Sequence, residues 1–320
     1  MTEGRMTQTP DAEWPLLPYA ALKDSCETLQ LWTQIVGKVR LAQTPWLNHS
    51  WQVPLYVSAR GLTTSLIPHR RGGFDMEFDF IDQALVLRTS WGRAASVLLE
   101  PQSTASFYSR VMEALERAGA PVAINRLPNE MVDAVPFDED HARRRYDPEI
   151  ASRFWRALVL IDQAFKLFRT GFLGKASPVH LFWGSFDLAV TRFSGRPAPP
   201  HPGGVPHLPD AVAREAYSHE VSSAGFWPGG GGVDYPAFYS YAYPESPGFR
   251  DAAVRPKGAV FNTQLGEYLL PYEVVRAAAD PQAALLAFLA STYEAAADAG
   301  RWDRAALECG FGQPGVPRPC

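Results

Sequence analysis

The chain is poor in the features that would make its function obvious. Its 320 residues hold only 3 cysteines, Cys26, Cys309 and Cys320, too few for a disulfide framework or a four-thiolate zinc site. No apolar run approaches the roughly 18 residues of a membrane helix, and the polar start MTEGRMTQTP has no signal-peptide core. Net charge is −4 and no long basic tract occurs, so nucleic acid is not the expected partner. The short basic stretch His141–Arg145 sits beside Asp138, Glu139 and Asp140 and reads as a solvated link. Motifs of known chemistry are missing too. There is no helical zinc-protease pair HExxH and no nucleophile elbow, since Trp183-Gly184-Ser185-Phe186-Asp187 lacks its second glycine. The glycine run Gly229–Gly232 lacks the lysine of a phosphate loop. No dinucleotide fingerprint opens a helix, so no nucleotide cofactor is expected.

What the chain has is a normal core and many rings. Hydrophobic residues make up 46%, with 9 Trp, 12 Tyr and 18 Phe, a composition for a globular protein of one large or two packed domains. Four helices are predicted. The first spans Ala20 to Val39, with Leu22, Cys26, Leu29, Thr33 and Val36 as one buried stripe. Ser103 caps the second, to Ala118, and Gly119 ends it. Pro148 opens the third, to Phe172, after the cap Asp147. The fourth, Pro281 to Ala299, is capped by Asp280.

Strands are expected at Trp51–Ala59, Phe74–Phe80, Ala84–Arg88, Ala94–Leu99, His180–Phe193 (one long strand or a hairpin), Phe238–Tyr243 and Glu267–Leu270. Gly195–Pro209 and Trp227–Pro236 are expected loops. The fold class is α+β, antiparallel sheet with helices packed on one side, in two halves of similar style. The division is a disordered stretch 1–13, an N-terminal half 14–135, a link 136–147, a C-terminal half 148–307 and a flexible tail 308–320.

Chemistry concentrates in two segments. His180 opens one, with Asp187 and Arg192 downstream; His219 and Glu220 open the other. His180, His219, Asp187 and Glu220 are the candidate acid/base groups. His180, His219 and Glu220 are a candidate ligand set for a divalent transition metal, with Asp187 or His49 as other third ligands. Haem fits less well, since no CxxCH is present. In a regular strand His180 and Asp187 face opposite ways, and a bulge at Gly184 would bring them together. His219 and Glu220 diverge on a strand and converge only in a loop. Arg192 and Arg60, each beside a turn, are candidate anchors for an anionic group. Trp183, Trp227, Tyr239 and Tyr241 would form the wall, with Tyr239, Tyr241 and Tyr243 on one strand face.

WTQIVGKVRL (Trp32–Leu41), VPLYVSARGLTTS (Val53–Ser65), HLFWGSFDLAVTRFSGR (His180–Arg196), SHEVSSAGFWPGG (Ser218–Gly230) and FYSYAYPES (Phe238–Ser246) resemble the signature stretches of an uncharacterised bacterial family, a domain of unknown function. The resemblance runs from Trp14 to Leu307. It implies a cytoplasmic bacterial protein and brings no reaction or catalytic residue to carry over. The residues themselves favour an enzyme acting on a small polar or aromatic molecule between the two halves. The alternatives are a non-catalytic small-molecule-binding protein and a partner-binding scaffold. A closed pocket of convergent polar groups would favour the enzyme.

Overall fold

The structure is a computed structural model and describes residues 13–318. The stretch expected to be disordered therefore lies, apart from Glu13, outside the described residues, as does Cys320. In chain order the elements are α1 (Tyr19–Gln43), β1 (Tyr56–Val57), β2 (Gly61–Thr63), β3 (Ile67–His69), β4 (Gly72–Asp79), β5 (Ala84–Thr89), β6 (Ala94–Leu98), α2 (Thr104–Ala118) and α3 (Pro148–Thr170). There follow β7 (His180–Phe182), β8 (Asp187–Pro197), α4 (Asp210–Ala216), β9 (His219–Trp227), β10 (Ala237–Tyr243), β11 (Val260–Asn262), β12 (Glu267–Pro271), α5 (Tyr272–Arg276), α6 (Pro281–Ala299) and α7 (Arg304–Leu307). Among the described residues no helix is long and apolar enough to cross a membrane.

The fold is α+β with two antiparallel sheets. One runs β1-β2-β4-β5-β6, with β3 on β4; the other runs β11-β12-β10-β9-β8-β7. Their edges meet at a bridge in which Leu55 and Leu181 exchange backbone hydrogen bonds of 2.9 and 2.8 Å.

Local chemistry sets the helix ends. Ser103 accepts from the Ser106 N–H at 3.1 Å, and Gly119 closes α2 at φ +76°, a conformation that costs glycine little. Asp147 accepts from Glu149 and Ile150 N–H groups ahead of Pro148, and Asp280 accepts from Ala283. Burial of Phe154, Ile161, Phe165 and Phe168 ties α3 into the core, at roughly 1.5–3 kcal/mol for each large side chain. Helix α1 departs from expectation. It is buried on all sides from Leu31 to Arg40 rather than along one stripe, because α2, α3 and β3 surround it and the Trp183 ring rests where a Gly37 Cβ would sit, at 2.2 Å.

The expected strand Trp51–Ala59 is reduced to Tyr56–Val57, preceded by a short 3-10 turn at Asn48–Ser50. The segment from His219, for which no strand is expected, forms β9 in the middle of the second sheet and leads into the glycine-rich loop. It pairs with β8 and β10 along its length. Residues 308–318 lie along the end of α3, where Thr170 Oγ1 accepts from the Gly312 N–H at 2.9 Å.

Candidate functional site

The second sheet has two different faces. Leu188, Val190 and Arg192 of β8 share a face with Phe226 and Phe238 and pack on α3 and α6. The alternate residues Asp187, Ala189, Thr191 and Phe193 line a cavity of about 960 Å³. Neighbouring strands add His180 and Phe182, Val221, Ser223 and Trp227, Tyr239 and Tyr241, and Glu267. The N-terminal half closes it with α1 (Tyr19 to Leu41), the 46–53 segment and Asn129–Met131.

His180 and Asp187 do share a face, through a hairpin rather than a bulge. Phe182 pairs with Asp187 and His180 with Ala189, and directly opposed residues point the same way. The turn Trp183–Phe186 places Phe186 at φ +58°. Gln30 of α1 steadies this turn, its Nε2 donating to the Gly184 carbonyl at 2.6 Å.

Asp187 is the centre of the site. It is 7% exposed; the Tyr239 hydroxyl donates to Oδ2 and the Ser185 hydroxyl to Oδ1. Burial raises its pKa, and the two hydroxyl donors oppose that rise. Tyr239 reaches Asp187 by crossing β9 over Gly225, where a Cβ would lie 2.4 Å from the hydroxyl oxygen. Beside it stand Tyr241, whose ring is 6.0 Å away and nearly parallel, and Tyr217, whose hydroxyl is 2.9 Å from that of Tyr241. Burial pushes the Tyr239 and Tyr241 hydroxyls well up.

Two glutamates complete the acidic end. Glu130, at φ +61°, comes from the segment without helix or strand that follows α2. Asn129 fixes that stretch: its N–H donates to Gln34 Oε1 at 2.8 Å and its carbonyl accepts from Gln34 Nε2 at 3.0 Å. The Glu130 carboxyl lies against Gly184, 1.9 Å from where a Cβ would be. Glu267 opens β12, one residue before the Tyr268–Ser240 pair, which brings it beside Tyr241. Burial, with the Asp187 charge second, raises both carboxyls to about 7.

Burial lowers the proton affinity of two histidines on the cavity wall, His180 and His49. The Nδ1 of His180 lies 2.6 Å from the Pro178 carbonyl, which only accepts, so Nδ1 carries the hydrogen. Burial lowers His180 to about 4. His49, on the cavity wall, likewise faces the Ala216 carbonyl through Nδ1 at 3.0 Å, and Lys175 Nζ stands 2.6 Å from its Nε2. Trp183 donates to the Val53 carbonyl at 3.1 Å. The four glycines 229–232 all adopt positive φ, where side chains are rarely accommodated, and three of them line the cavity beside Trp227.

Four expected site residues lie elsewhere. His219 is half-buried at the start of β9. His180 shares a rung with Ala189 and Gly225, and residues 219 and 225 are about 20 Å apart at roughly 3.3 Å per residue. Because residues 219–227 form a strand, His219 and Glu220 diverge, and Glu220 instead pairs with Arg196 at 2.7 Å. The ligand set His180, His219 and Glu220 is therefore not assembled, and no other group of three His, Cys, Asp or Glu among the described residues could hold a metal ion. Arg192 points away from the cavity. Its guanidinium stacks 3.6 Å from the Phe168 ring centre and 4.4 Å from that of Tyr293, a packing role rather than an anion anchor. Arg60 pairs with Asp79 and Asp82 in the first sheet. Conversely, Ser185, Glu130, Glu267 and Tyr217 belong to the site without having been singled out.

A family model described as a family of unknown function (DUF5996) matches residues 14–309, and the chain belongs to that family. No curated protein and no solved structure matches it.

Proposed function

We propose that this member of a family of unknown function binds a small organic molecule in the cavity under its second sheet and exchanges a proton with it through Glu130 and Glu267. One observation carries the reading. Two carboxyls with pKa values raised to about 7 share one cavity with Asp187, whose oxygens are already engaged by Tyr239 and Ser185. A carboxyl that changes charge near neutrality can take up a proton and return it in one cycle. Asp187 is then a positioning residue that fixes the Tyr239 ring. Trp183, Trp227 and Tyr241 offer flat apolar surface to the body of the molecule.

The test is a fragment screen by saturation-transfer NMR, followed by deuterium uptake into the bound fragments in heavy water. The reading expects binders that weaken about tenfold in Asp187→Asn, as the weaker hydrogen bond to an amide loosens the Tyr239 ring. It also expects deuterium uptake that Glu267→Gln abolishes. No binders, or binders indifferent to Asp187→Asn, would overturn it.

A second reading, binding without chemistry, has its own support. Burial drives the Cys26 thiol well up, and Ser185 donates to a carboxylate rather than to a base, so neither of these two lining residues is an activated nucleophile. That reading expects binding with no deuterium uptake.

A further inference from the structure

The class of molecule can be narrowed by counting what the cavity leaves without a partner; this inference rests on the small-molecule reading above. Among the described residues the Glu130 and Glu267 side chains form no hydrogen bond or ion pair. Neither they nor Asp187 owe any part of their altered proton affinity to a lysine or arginine. The acidic end therefore has three carboxyls and no matching cation.

An independent observation comes from His180. It is 1% exposed and stands on the cavity face of β7. With Nδ1 committed to the Pro178 carbonyl, its outer nitrogen Nε2 is an acceptor, and it has no hydrogen-bond partner. A buried acceptor without a donor is costly, so the cavity wall also lacks a donor at this point.

The walls suit the same kind of guest. Tyr239 and Tyr241 stack at 6.0 Å. Tyr217 lies 6.2 Å from Tyr241 and 4.5 Å from the His201 ring. Ring faces attract cations, ammonium groups among them. A bare metal ion is a poor match, because the carboxyls do not converge as a ligand set and the space, about 960 Å³, is that of an organic molecule. At the acidic end an anion would meet like charge, the lining cations Lys23 and Arg144 making no bond to these carboxyls.

We propose that the cavity takes an organic amine, its ammonium group held at the acidic end by the combined field of Glu130, Asp187 and Glu267 rather than by contact with all three at once, and its apolar or aromatic body along Tyr239, Tyr241 and Trp227. The ammonium would supply the donors and the charge that the acidic end lacks.

Calorimetric titration of the full chain tests this with matched probes: benzylamine, phenethylamine, tyramine and hexylamine, the alcohol of each, and 3-phenylpropionate. At least one amine is expected to bind about tenfold or more tightly than its alcohol, as charge-assisted hydrogen bonds are stronger than neutral ones, and the carboxylate is expected not to bind. The preference should grow between about pH 6 and pH 8 as the glutamates ionise. It should fall toward unity in Glu130→Gln and in Glu267→Gln, made separately so that one failure to fold leaves the other, and persist in Arg60→Ala, outside the cavity. Alcohols or the carboxylate binding as well as the amines would overturn the amine assignment and leave the small-molecule site standing. If no probe binds and the Trp183 and Trp227 indole signals stay unmoved, both readings fall.

Discussion

Gly225 has no side chain, and the Tyr239 ring occupies the space one would fill. This pair decides whether Asp187 keeps its Tyr239 donor. Gly225→Ala should displace the Tyr239 hydroxyl and cost about 1–3 kcal/mol, the usual range for overpacking. Tyr239→Phe should cost about 1–3 kcal/mol by leaving a buried carboxylate one donor short. Urea denaturation measures both, and a Gly225→Ala protein as stable as the parent would contradict the crossing geometry. At the same scale, two kinds of buried acid work in opposite directions. Glu130 and Glu267 rise from 4.5 to about 7 on folding, so the folded chain binds more protons between those values and loses stability as pH rises through that window. His180 falls from 6.5 to about 4, so its contribution is lost as pH falls from about 6.5 to 4. Glu267→Gln should therefore melt above the parent at about pH 8, by roughly 1–2 kcal/mol, and match it near pH 5. Melting curves across that range check the sign.

At the scale of elements, β9 is where reading the sequence and folding it part company. Alternation along His180–Phe193 and Phe238–Tyr243 was legible, and so were Asp187, Tyr239, Tyr241, Trp183 and Trp227 as neighbours of one cavity. Periodicity reports the faces of one strand; it does not report which strands lie side by side or in what register. His219 and Glu220 could join His180 only if they lay in a loop, and β9 makes them a strand. Glu130 had no periodic pattern around it, and Glu267 was simply the first residue of a short strand. The two become neighbours of Asp187 through pairing and loop contacts that no local signal encodes. Arg192 shows the same limit from the other side, since one residue of strand phase separates an anion anchor from a packed guanidinium. Its flat ion covers Phe168 and Tyr293, so Arg192→Ala should destabilise the chain by about 2–4 kcal/mol through lost packing. Ligand binding should be unchanged. Weakened binding without a stability loss would return Arg192 to the site.

For the whole molecule, one buried cluster joins both sheets. Trp32, Phe78 and Phe107 belong to it together with Phe226, Phe238 and Phe288, and α3 packs against α1, α6 and strands of both sheets. The cavity draws its walls from both halves, so it exists only when they are docked. Heat or urea should unfold the chain in one transition, seen together by far-UV and near-UV circular dichroism. Two separate transitions would mean halves that fold independently.

The account stands on the proton affinity of two glutamates. Carbon-13 NMR of glutamate-labelled protein, titrated from about pH 4 to pH 9, reads it directly against the ordinary glutamate value of about 4.3. Two side-chain carboxyl signals should titrate near 7, one disappearing in Glu130→Gln and the other in Glu267→Gln. If every glutamate titrates in the ordinary range, the cavity holds no group that moves a proton at neutral pH, and the acid–base reading is contradicted.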